Sequence, residues 1–583
     1  MSAMIFNSRD TKYKSKYGAL VSGDEVLFRL LLPEEPGAAV SCARMLILSD
    51  ESASEKAFAF TPTSEHEGAC KYWELRYTAE EPGLYWYCFE FECDDGETER
   101  IYRGAYSTGY TGIDDARWQL TVYKNAYDSP DSFAGGIMYQ IFPDRFRNSG
   151  APKVNVPNDR KIKPWGTAPE WKPNEFGKVL NNDYLGGDLK GIEEKLPYLH
   201  EMGITVIYLN PIFEAHSNHR YNTANYLKID PLLGTEEDFV SLCNAAHEFG
   251  IKIVLDGVFS HTGDDSIYFN KYNRYDSLGA YNSTESPYFK WYKFQDWPND
   301  YKSWWGIDIL PEVIEETPEY MDYITGPGGV VEKWLRLGAD GWRLDVADEL
   351  PDEFIEKIRE RIEIVKPGAL LLGEVWEDAS NKEAYGVRRK YLLGKGLSSV
   401  MNYPFKDAII SYLAHDDAEG FIDQILTITE NYPKEVVDLL MNPLGTHDTM
   451  RIITRLSGES CETPEMFIGY AKKSEEMDGV HKNIIKAAIN LLIQQYKEKY
   501  KAVIDSNCDI LAQTPDLVEY LYGMAKAEGE PGYELLQQWL SFMTSHDMEQ
   551  SDEMVQLMKL SGSIDAYDAK INWNLSVPHD LIK

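Results

Sequence analysis

The sequence has few basic residues for its size, and this scarcity limits the partners that the protein can have. Its 583 residues include 58 lysines and arginines against 95 aspartates and glutamates, which gives a formal net charge of -37. This excess disfavours nucleic acids and anionic membrane surfaces as partners, because both are polyanionic. It favours a neutral or cationic substrate.

Cysteine is also scarce, and several common signals are missing. The seven cysteines form no CxxC pair and show no metal-ligand spacing, which is typical of a reducing compartment. Residues 1–10 lack a signal-peptide pattern, and no run is apolar and long enough to span a bilayer. No GxGxxG or phosphate-binding loop follows a predicted strand, so a nucleotide site is disfavoured. We therefore expect a cytoplasmic protein.

The first part of the chain carries the pattern of short β-strands. Four apolar and aromatic runs are separated or ended by proline and glycine, at residues 26–32, 43–48, 72–77 and 83–91. Several such strands in succession predict an N-terminal β-sandwich over residues 1–125. Glycan binding, dimer contact and simple packing all remain open as its role.

From about residue 136, predicted strands alternate with predicted helices. The strands cover residues 137–142, 206–210, 251–258, the run containing Arg343, the run ending at Glu374, 399–403 and 437–444, with helices such as 192–202 and 236–249 between them. Seven such units favour an α/β fold with a (β/α)8 TIM-type barrel, over residues 126–455, rather than an open doubly wound sheet.

Two segments depart from this alternation. Residues 262–317 are long, aromatic and irregular, and we interpret them as a subdomain inserted after the third strand. Residues 456–583 show helical periodicity around 484–492 and no convincing eighth strand. We therefore expect an atypical helical C-terminal region rather than a C-terminal β-sandwich.

Two carboxylates stand at the ends of neighbouring predicted strands. In residues 341–349, Arg343 and Asp345 alternate with apolar residues and share one strand face, so the arginine can hold the carboxylate ionised. Glu374 ends the next strand, and carboxylates at the carboxyl ends of barrel strands are typical of an active site. A structural ion pair is the alternative interpretation.

Seven stretches in this order resemble the alpha-amylase family of glycoside hydrolases, and in particular its cyclomaltodextrinase, neopullulanase and maltogenic amylase group. They are Gly136–Phe146, Gly186–Ile192, Asp256–His261, Gly341–Glu349, Gly373–Trp376, Met401–Phe405 and Gly445–Asp448. The N-terminal β-region is similar to the starch-binding-type module that precedes the barrel in this group.

The resemblance implies three catalytic residues. Asp345 would be the nucleophile that forms a covalent glycosyl-enzyme intermediate, and Glu374 the general acid and then the general base. Asp448 would bind sugar hydroxyls and help to distort the ring. This is the retaining mechanism, which needs two carboxyl groups about 5 to 5.5 Å apart.

The resemblance also implies five substrate-binding residues. Arg343 would keep Asp345 charged, His261 and His447 would hydrogen-bond the sugar, and Tyr221 would stack on it. Trp376 would lie on the leaving-group side of the bond, with core packing as its alternative role.

Some positions depart from the family pattern. Ser260 replaces the usual Asn before His261, so no cofactor is expected to be required, calcium stays an open alternative, and no metal ligand is assigned. Residues 221–226 read Tyr-Asn-Thr-Ala-Asn-Tyr instead of Tyr-Asp-Thr-x-Asp-Tyr. Asp348 stands where the group often has Asn, and Glu377 where it often has His.

The predicted function is hydrolysis of α-1,4-glucosidic bonds in maltodextrins, cyclodextrins or pullulan. A transglycosylase on the same substrates and a non-catalytic carbohydrate-binding relative are the alternatives. The expected partner is an α-glucan oligosaccharide, with no nucleic acid and no membrane. The resemblance implies a homodimer formed through the N-terminal module.

Overall fold

The computed structural model describes residues 4–34, 39–113, 115–124, 129–170, 174–175 and 179–456. Among these, one compact unit comprises residues 4–404 with 425–441, and a second comprises 405–424 with 442–456. The predicted helical C-terminal region, beyond residue 456, lies outside the described residues.

The N-terminal part of the first unit consists of two mainly antiparallel β-sheets. Its strands are β1 (Leu20–Val21), β2 (Glu25–Pro33), β3 (Val40–Ser49), β4 (Glu55–Ala59), β5 (Thr61–Glu67), β6 (Cys70–Thr78), β7 (Gly83–Cys93), β8 (Thr98–Arg103), β9 (Gly109–Thr111) and β10 (Trp118–Tyr123). One sheet has the order β1-β10-β7-β3-β4, with β8 also on β7 and β9 on β8, and the other has the order β2-β6-β5.

A single aromatic core joins these two sheets. Phe28 of β2 packs against Phe89 of β7, with ring centroids 6.3 Å apart, and Phe89 lies 5.5 Å from Trp118 of β10. All three side chains are buried. The strands that alternate in the sequence therefore fold as two sheets packed face to face, which is the arrangement of a β-sandwich.

Six parallel strands form the sheet that carries the predicted site. They are β11 (Met138–Ile141), β14 (Val206–Leu209), β17 (Lys252–Gly257), β20 (Gly341–Leu344), β21 (Leu370–Gly373) and β24 (Ser399–Val400). They lie side by side in chain order, each parallel to its neighbour. Their near-continuous burial explains why they read as uninterrupted apolar runs, since a parallel sheet is covered on both faces.

Helices follow or flank these strands. They are α1 (Pro143–Phe146), α2 (Leu189–Glu194), α3 (Leu196–Glu201), α4 (Glu236–Glu248), α5 (Pro318–Thr325), α6 (Val330–Arg336), α7 (Asp352–Val365), α8 (Tyr403–His415), α9 (Ala418–Asn431), α10 (Lys434–Asp438) and α11 (Ile452–Leu456). Helix α4 starts at a capping box, in which the Thr235 side chain accepts from Asp238 N–H and the Asp238 side chain accepts in return. None of the helices in the described ranges is apolar over a length that could cross a membrane.

Three secondary-structure predictions need correction. The predicted seventh strand, residues 437–444, is wrong at its start, because residues 434–438 form α10 and only Met441 makes a parallel bridge, to Met401. The predicted sixth strand ends early, because Tyr403 begins α8. The predicted helix 192–202 is divided into α2 and α3 at Lys195, just before the Leu196-Pro197 pair.

Between β17 and α5 the chain forms a small irregular region, and the assignment of residues 262–317 as an inserted subdomain stays a prediction. It contains the hairpin of β18 (Phe294–Asp296) and β19 (Asp300–Tyr301) and the short 3-10 helices Phe289–Trp291 and Trp304–Gly306. Its own aromatic core includes Phe269, whose ring centroid lies 4.9 Å from that of Tyr292.

Short strand pairs lie in other loops. They are β12 (Lys161–Ile162) with β13 (Asp183–Tyr184), β15 (Phe213–Ala215) with β16 (Thr223–Ile229), and β22 (Glu383–Ala384) with β23 (Val387–Arg388). Two further 3-10 helices cover Ala105–Ser107 and Asp131–Phe133.

Candidate active site

A fully buried arginine gathers three carboxylates at the carboxyl ends of the central strands. Arg343 Nη1 lies 2.7 Å from Asp345 Oδ1 and 2.8 Å from Asp256 Oδ1, and Arg343 Nη2 lies 2.9 Å from Glu374 Oε2. Because the guanidinium presents several donors in one plane, it can serve several carboxylates at once. The structure therefore brings the predicted residues Arg343, Asp345 and Glu374 into one cluster.

Strand register explains why these side chains meet. Asp256 on β17 is the direct neighbour of Arg343 on β20, and Arg343 in turn neighbours Leu372 on β21. Asp345 follows the last residue of β20 and Glu374 follows the last residue of β21. Parallel strands end at the same edge, so residues at these positions share one end of the sheet.

Asp256 is the member of the cluster that the sequence analysis did not assign. Its Oδ2 accepts hydrogen bonds from the hydroxyls of Tyr208, at 2.5 Å, and Tyr221, at 2.9 Å. One sequence signal could have identified Asp256 as a site residue. It starts the Asp256–His261 stretch and lies near the end of a predicted strand. The contact with Arg343 depends on register between two strands far apart in sequence, which no local pattern contains.

Two neutral donors each contact a different oxygen of the Glu374 carboxylate. The backbone N–H of Val346 donates to Glu374 Oε2 at 2.9 Å, and the Trp376 indole N–H donates to Oε1 at 3.2 Å. Val346 has a φ of 40°, which is an outlier for a β-branched residue. Strain of this kind clusters at functional sites because the surrounding structure must hold it in place.

Burial and the shared arginine act in opposite directions on the carboxyl groups. Burial raises the pKa of Asp345 well above its ordinary value, the positive charge of Arg343 lowers it, and the charges of Glu374 and Asp256 raise it again. Burial likewise raises the pKa of Asp256, against the effect of Arg343. Three ionised carboxylates and one guanidinium would leave a net charge of 3 - 1 = 2 negative charges, and this excess of negative charge opposes the ionisation of Asp345.

Tyr221 and His261 border the cluster and bind each other. His261 Nε2 lies 3.2 Å from the Tyr221 carbonyl oxygen, and the Tyr221 hydroxyl also accepts from Asn210 Nδ2 at 2.9 Å. Burial lowers the pKa of His261 to about 4, although the Tyr221 carbonyl acts to raise it. At neutral pH this imidazole is therefore uncharged, and both of its ring nitrogens lie within hydrogen-bond distance of protein groups.

The donors near Ser260 do not fit a calcium site. Ser260 Oγ lies 3.0 Å from His261 Nδ1, so the hydroxyl faces the imidazole. Within the described ranges no group of three or more His, Cys, Asp or Glu side chains is arranged to hold a metal ion. Calcium prefers six to eight oxygen ligands.

His447 and Asp448 lie in the second compact unit and are described within it. His447 Nε2 lies 3.2 Å from Asp448 Oδ2, and the Asp448 N–H donates to Thr446 Oγ1 at 3.3 Å. The Asp448 side chain is 39% exposed. Their participation in the site of Asp345 and Glu374 stays a prediction.

Sequence comparison places this site within a known family. The family described as the alpha amylase catalytic domain matches residues 140–472. The amylopullulanase of Thermoanaerobacterium saccharolyticum is 36% identical over 516 residues, which are 79% of this chain and 39% of that protein. The cyclomaltodextrinase of Geobacillus thermopakistaniensis is 34% identical over 351 residues, which are 59% of this chain and 54% of that protein.

The fold has solved relatives. Cyclic alpha-maltosyl-(1-->6)-maltose hydrolase from Arthrobacter globiformis is similar with a TM-score of 0.50 and 28% identity, over 62% of this chain and 70% of that one. This chain spans between 26% and 39% of the amylopullulanases that it matches.

These matches confirm the resemblance and the (β/α)8 class of barrel that the family implies, to which the six parallel strands conform. They include proteins named neopullulanase, cyclomaltodextrinase and maltogenic alpha-amylase, the group that the sequence motifs indicate. The chain belongs to the alpha-amylase family of glycoside hydrolases.

Proposed function

We propose that this protein is a retaining glycoside hydrolase that cleaves α-1,4-glucosidic bonds in maltodextrins, cyclodextrins or pullulan. The observation that carries the proposal is the contact of Asp345 and Glu374 with neighbouring nitrogens of the same buried guanidinium. Two carboxyl groups held this close are compatible with the separation of about 5 to 5.5 Å that a retaining mechanism requires.

In the first step, ionised Asp345 attacks the anomeric carbon of the sugar while protonated Glu374 gives its proton to the departing glycosidic oxygen. The C–O bond to the leaving sugar breaks and an ester bond between Asp345 and the sugar forms. Arg343 and Asp256 keep the nucleophile in place, and the Val346 N–H and Trp376 N–H keep the acid oriented. This step requires Asp345 to start ionised and Glu374 to start protonated, so the environments of the two carboxyl groups must differ.

In the second step, Glu374 is ionised and removes a proton from a water molecule. The resulting hydroxyl bonds to the anomeric carbon, and the ester bond to Asp345 breaks. Asp345 returns to its carboxylate form and Glu374 to its acid form, so protons and charge balance over the cycle. Two displacements on one carbon restore the α-configuration.

Substrate binding in this proposal uses Tyr221, His261, His447 and Asp448. The neutral state of His261 and the uncharged hydroxyl of Tyr221 suit a neutral carbohydrate better than an anionic one. The names of the relatives, amylopullulanase and cyclomaltodextrinase among them, support an α-glucan as the substrate class.

The experiment is incubation of the purified protein with maltoheptaose, β-cyclodextrin and pullulan, with the products separated by chromatography. Proton NMR of the first product detects its anomeric form before mutarotation, and the α-anomer is the expected result. Asp345→Asn is the inactive control. An initial β-anomer would contradict the double displacement, no products from any substrate would contradict hydrolysis, and products longer than the substrate would indicate transglycosylation.

In this function, residues 1–125 form a glycan-binding module that pairs two copies of the chain, and residues 126–455 form the catalytic domain. Within the first unit this region contacts loops that follow the catalytic strands: Gln119 Nε2 donates to Ser380 Oγ at 2.8 Å, and Arg388 Nε lies 2.9 Å from Asp50 Oδ2. Light scattering of the full chain measures its mass in solution, and the mass of a dimer is the expected result. A monomer at all concentrations would contradict the pairing of two copies.

A further inference from the structure

Three loops converge on one carboxylate at the carboxyl end of the sheet. Glu349, four residues after Asp345, accepts the Trp304 indole N–H on Oε2 at 2.9 Å and the Trp305 indole N–H on Oε1 at 2.9 Å. Tyr385, in the loop after β21, brings its hydroxyl to the same place. Partial burial raises the pKa of Tyr385, the Glu349 charge and hydrogen bond raise it further, and a contact with Trp305 lowers it.

The tryptophan pair leads outward from the proposed site. The Trp304 ring lies 5.2 Å from the His261 ring on one side and is stacked on Trp305 on the other, with centroids 4.8 Å apart and planes 13° apart. His261 is buried, whereas Trp305 is 72% exposed. A continuous series of rings therefore connects the buried histidine to solvent.

Trp305 and Tyr385 are held exposed by backbone conformations that bulky residues rarely adopt. Trp305 has φ 50° and ψ 27°. Tyr385 and Gly386 have φ of 52° and 76° and form the two-residue tip of the β22–β23 hairpin, where Asn-Gly is the usual pair. Tyr385 is 74% exposed. Strained conformations that present aromatic faces to solvent, fixed through a common carboxylate, indicate a binding surface rather than core packing.

This surface continues from the proposed acid. Tyr385 and Glu374 lie in the same loop after β21, and Trp376, whose indole N–H contacts Glu374, is 42% exposed. The acid acts on the leaving sugar, so a surface on its side of the cleft faces the leaving part of the substrate. Aromatic faces bind the apolar faces of sugar rings, while hydroxyl and indole edges stay available to polar groups.

Resting on the proposed function, we propose that Trp305 and Tyr385, positioned by Glu349, form a glucosyl-binding subsite for the leaving-group part of an α-glucan chain, beyond the sugar next to the cleaved bond. Its occupant is the second glucose unit on the leaving side of the cleaved bond, which a substrate with a single leaving unit does not supply. Glu349 acts through the two indoles and is a positioning residue.

The test compares kcat/KM for maltoheptaose with kcat/KM for nitrophenol release from a nitrophenyl maltoside, whose leaving group fills only the position next to the cleaved bond. In Trp305→Ala and Tyr385→Ala the ratio of the two should fall about fivefold to tenfold, because only the longer chain reaches the subsite. Trp305→Phe keeps a ring face and should recover part of the ratio. Tyr272→Ala, which removes a 55% exposed tyrosine of the inserted region away from Glu349, should leave the ratio unchanged.

The Glu349→Gln variant tests whether Glu349 positions the indoles of Trp304 and Trp305. One indole N–H then faces an amide N–H₂ group instead of an oxygen. The ratio should fall in this variant too, and the tryptophan fluorescence change on titration with maltoheptaose should shrink. Equal losses on both substrates in the Trp305 and Tyr385 variants would overturn the subsite, as would an unchanged ratio.

The proposed function and the subsite can fail separately. If the wild-type protein hydrolyses neither substrate but its fluorescence still responds to maltoheptaose, and Trp305→Ala removes that response, the subsite stands and the hydrolase proposal falls. If hydrolysis proceeds and no variant alters the ratio, the hydrolase proposal stands and the subsite falls.

Discussion

Arg343 and Asp345 form a 2.7 Å ion pair between residues only two positions apart, because both side chains project from the same face at the end of β20. The pair is part of a larger cluster, since the same guanidinium also contacts Asp256 and Glu374. Asp345 is therefore held in one position, although its burial raises its pKa. This fixed position is consistent with the proposed role of Asp345 as the nucleophile.

We predict that Asp345→Asn lowers kcat by about a thousandfold or more, because an amide cannot form the glycosyl ester. The circular dichroism spectrum should stay that of the wild type. Steady-state rates on maltoheptaose measure the loss. Near-wild-type turnover in the purified variant would contradict Asp345 as the nucleophile.

We predict that Glu374→Gln slows natural glucans far more than aryl glycosides with activated leaving groups. The activated group departs with little protonation, so it depends less on an acid. Single-turnover rates of the first step on maltoheptaose and on a nitrophenyl maltoside measure the difference. Equal losses on both substrates would count against Glu374 as the acid.

The sequence predicts secondary structure best where the pattern of neighbouring residues determines it. The apolar runs that became β14, β17, β20 and β21 are buried on both sides, so they carry the pattern of parallel strands without interruption. Their ends placed Asp345 and Glu374 correctly at one edge of the sheet. The family motifs then supplied roles for these residues, and those roles stay predictions.

The errors arise where local pattern does not determine structure. Strand β5, Thr61–Glu67, is polar and almost wholly exposed, and it exists because it pairs with the edge of β6. Residues 437–444 are apolar but short, and such runs do not distinguish strand from helix. Pro433, directly before α10, fixes a backbone angle compatible with helix entry, and the helix takes residues 434–438.

Exposed surfaces built from several loops are the hardest features to predict from sequence. Trp304, Trp305, Glu349 and Tyr385 come from three loops, and their convergence depends on the order of β17, β20 and β21 in the sheet. Asp256 was missed for the same reason. The sequence shows which residue types are present, whereas tertiary register decides which of them meet.

The raised pKa of Asp345 predicts a pH-dependent stability difference between wild type and Asp345→Asn. A carboxyl group whose pKa is higher in the folded than in the unfolded protein, where it is about 3.9, favours folding most fully below that value. This contribution is lost as pH rises through the folded pKa, because the ionised form is buried. The asparagine does not ionise and avoids that loss.

The melting temperature of Asp345→Asn should therefore exceed that of the wild type at pH 7, and the difference should shrink as the pH falls towards 4. Calorimetry of both proteins at several pH values measures it. A difference that stays constant with pH, or that grows at low pH, would contradict the raised pKa.

We predict that Arg343→Lys lowers both activity and stability, although it keeps the charge. A single ammonium group cannot satisfy three carboxylates with the geometry of a planar guanidinium. The expected losses are on the order of 2 to 4 kcal/mol in unfolding free energy and at least about a hundredfold in kcat. Denaturant unfolding and maltoheptaose kinetics measure them.

Arg336→Lys is the matched control. Arg336 pairs with Glu332 at 2.8 Å on the surface of α6, with 63% of its side chain exposed. This change should alter stability by less than about 0.5 kcal/mol and leave kcat unchanged. Similar effects of the two substitutions would mean that the buried cluster has no special dependence on the guanidinium.

We predict that Val346→Gly makes the protein more stable and less active. Glycine adopts the φ of 40° without the steric cost of a β-branched side chain, so the unfolding free energy should rise by about 1 kcal/mol. The same freedom loosens the N–H that orients Glu374 Oε2, so kcat should fall by about tenfold.

Ala53→Gly is the comparison for Val346→Gly. Ala53 also has a positive φ, of 49°, but it lies in an exposed turn of the N-terminal region. Relief of strain there should raise stability without changing kcat, which separates the backbone effect from the effect on Glu374. Thermal unfolding and maltoheptaose kinetics on both variants test the pair. If Val346→Gly kept full activity, the Val346 N–H would have no part in orienting the acid, and if it lost stability, the positive φ would not be a source of strain.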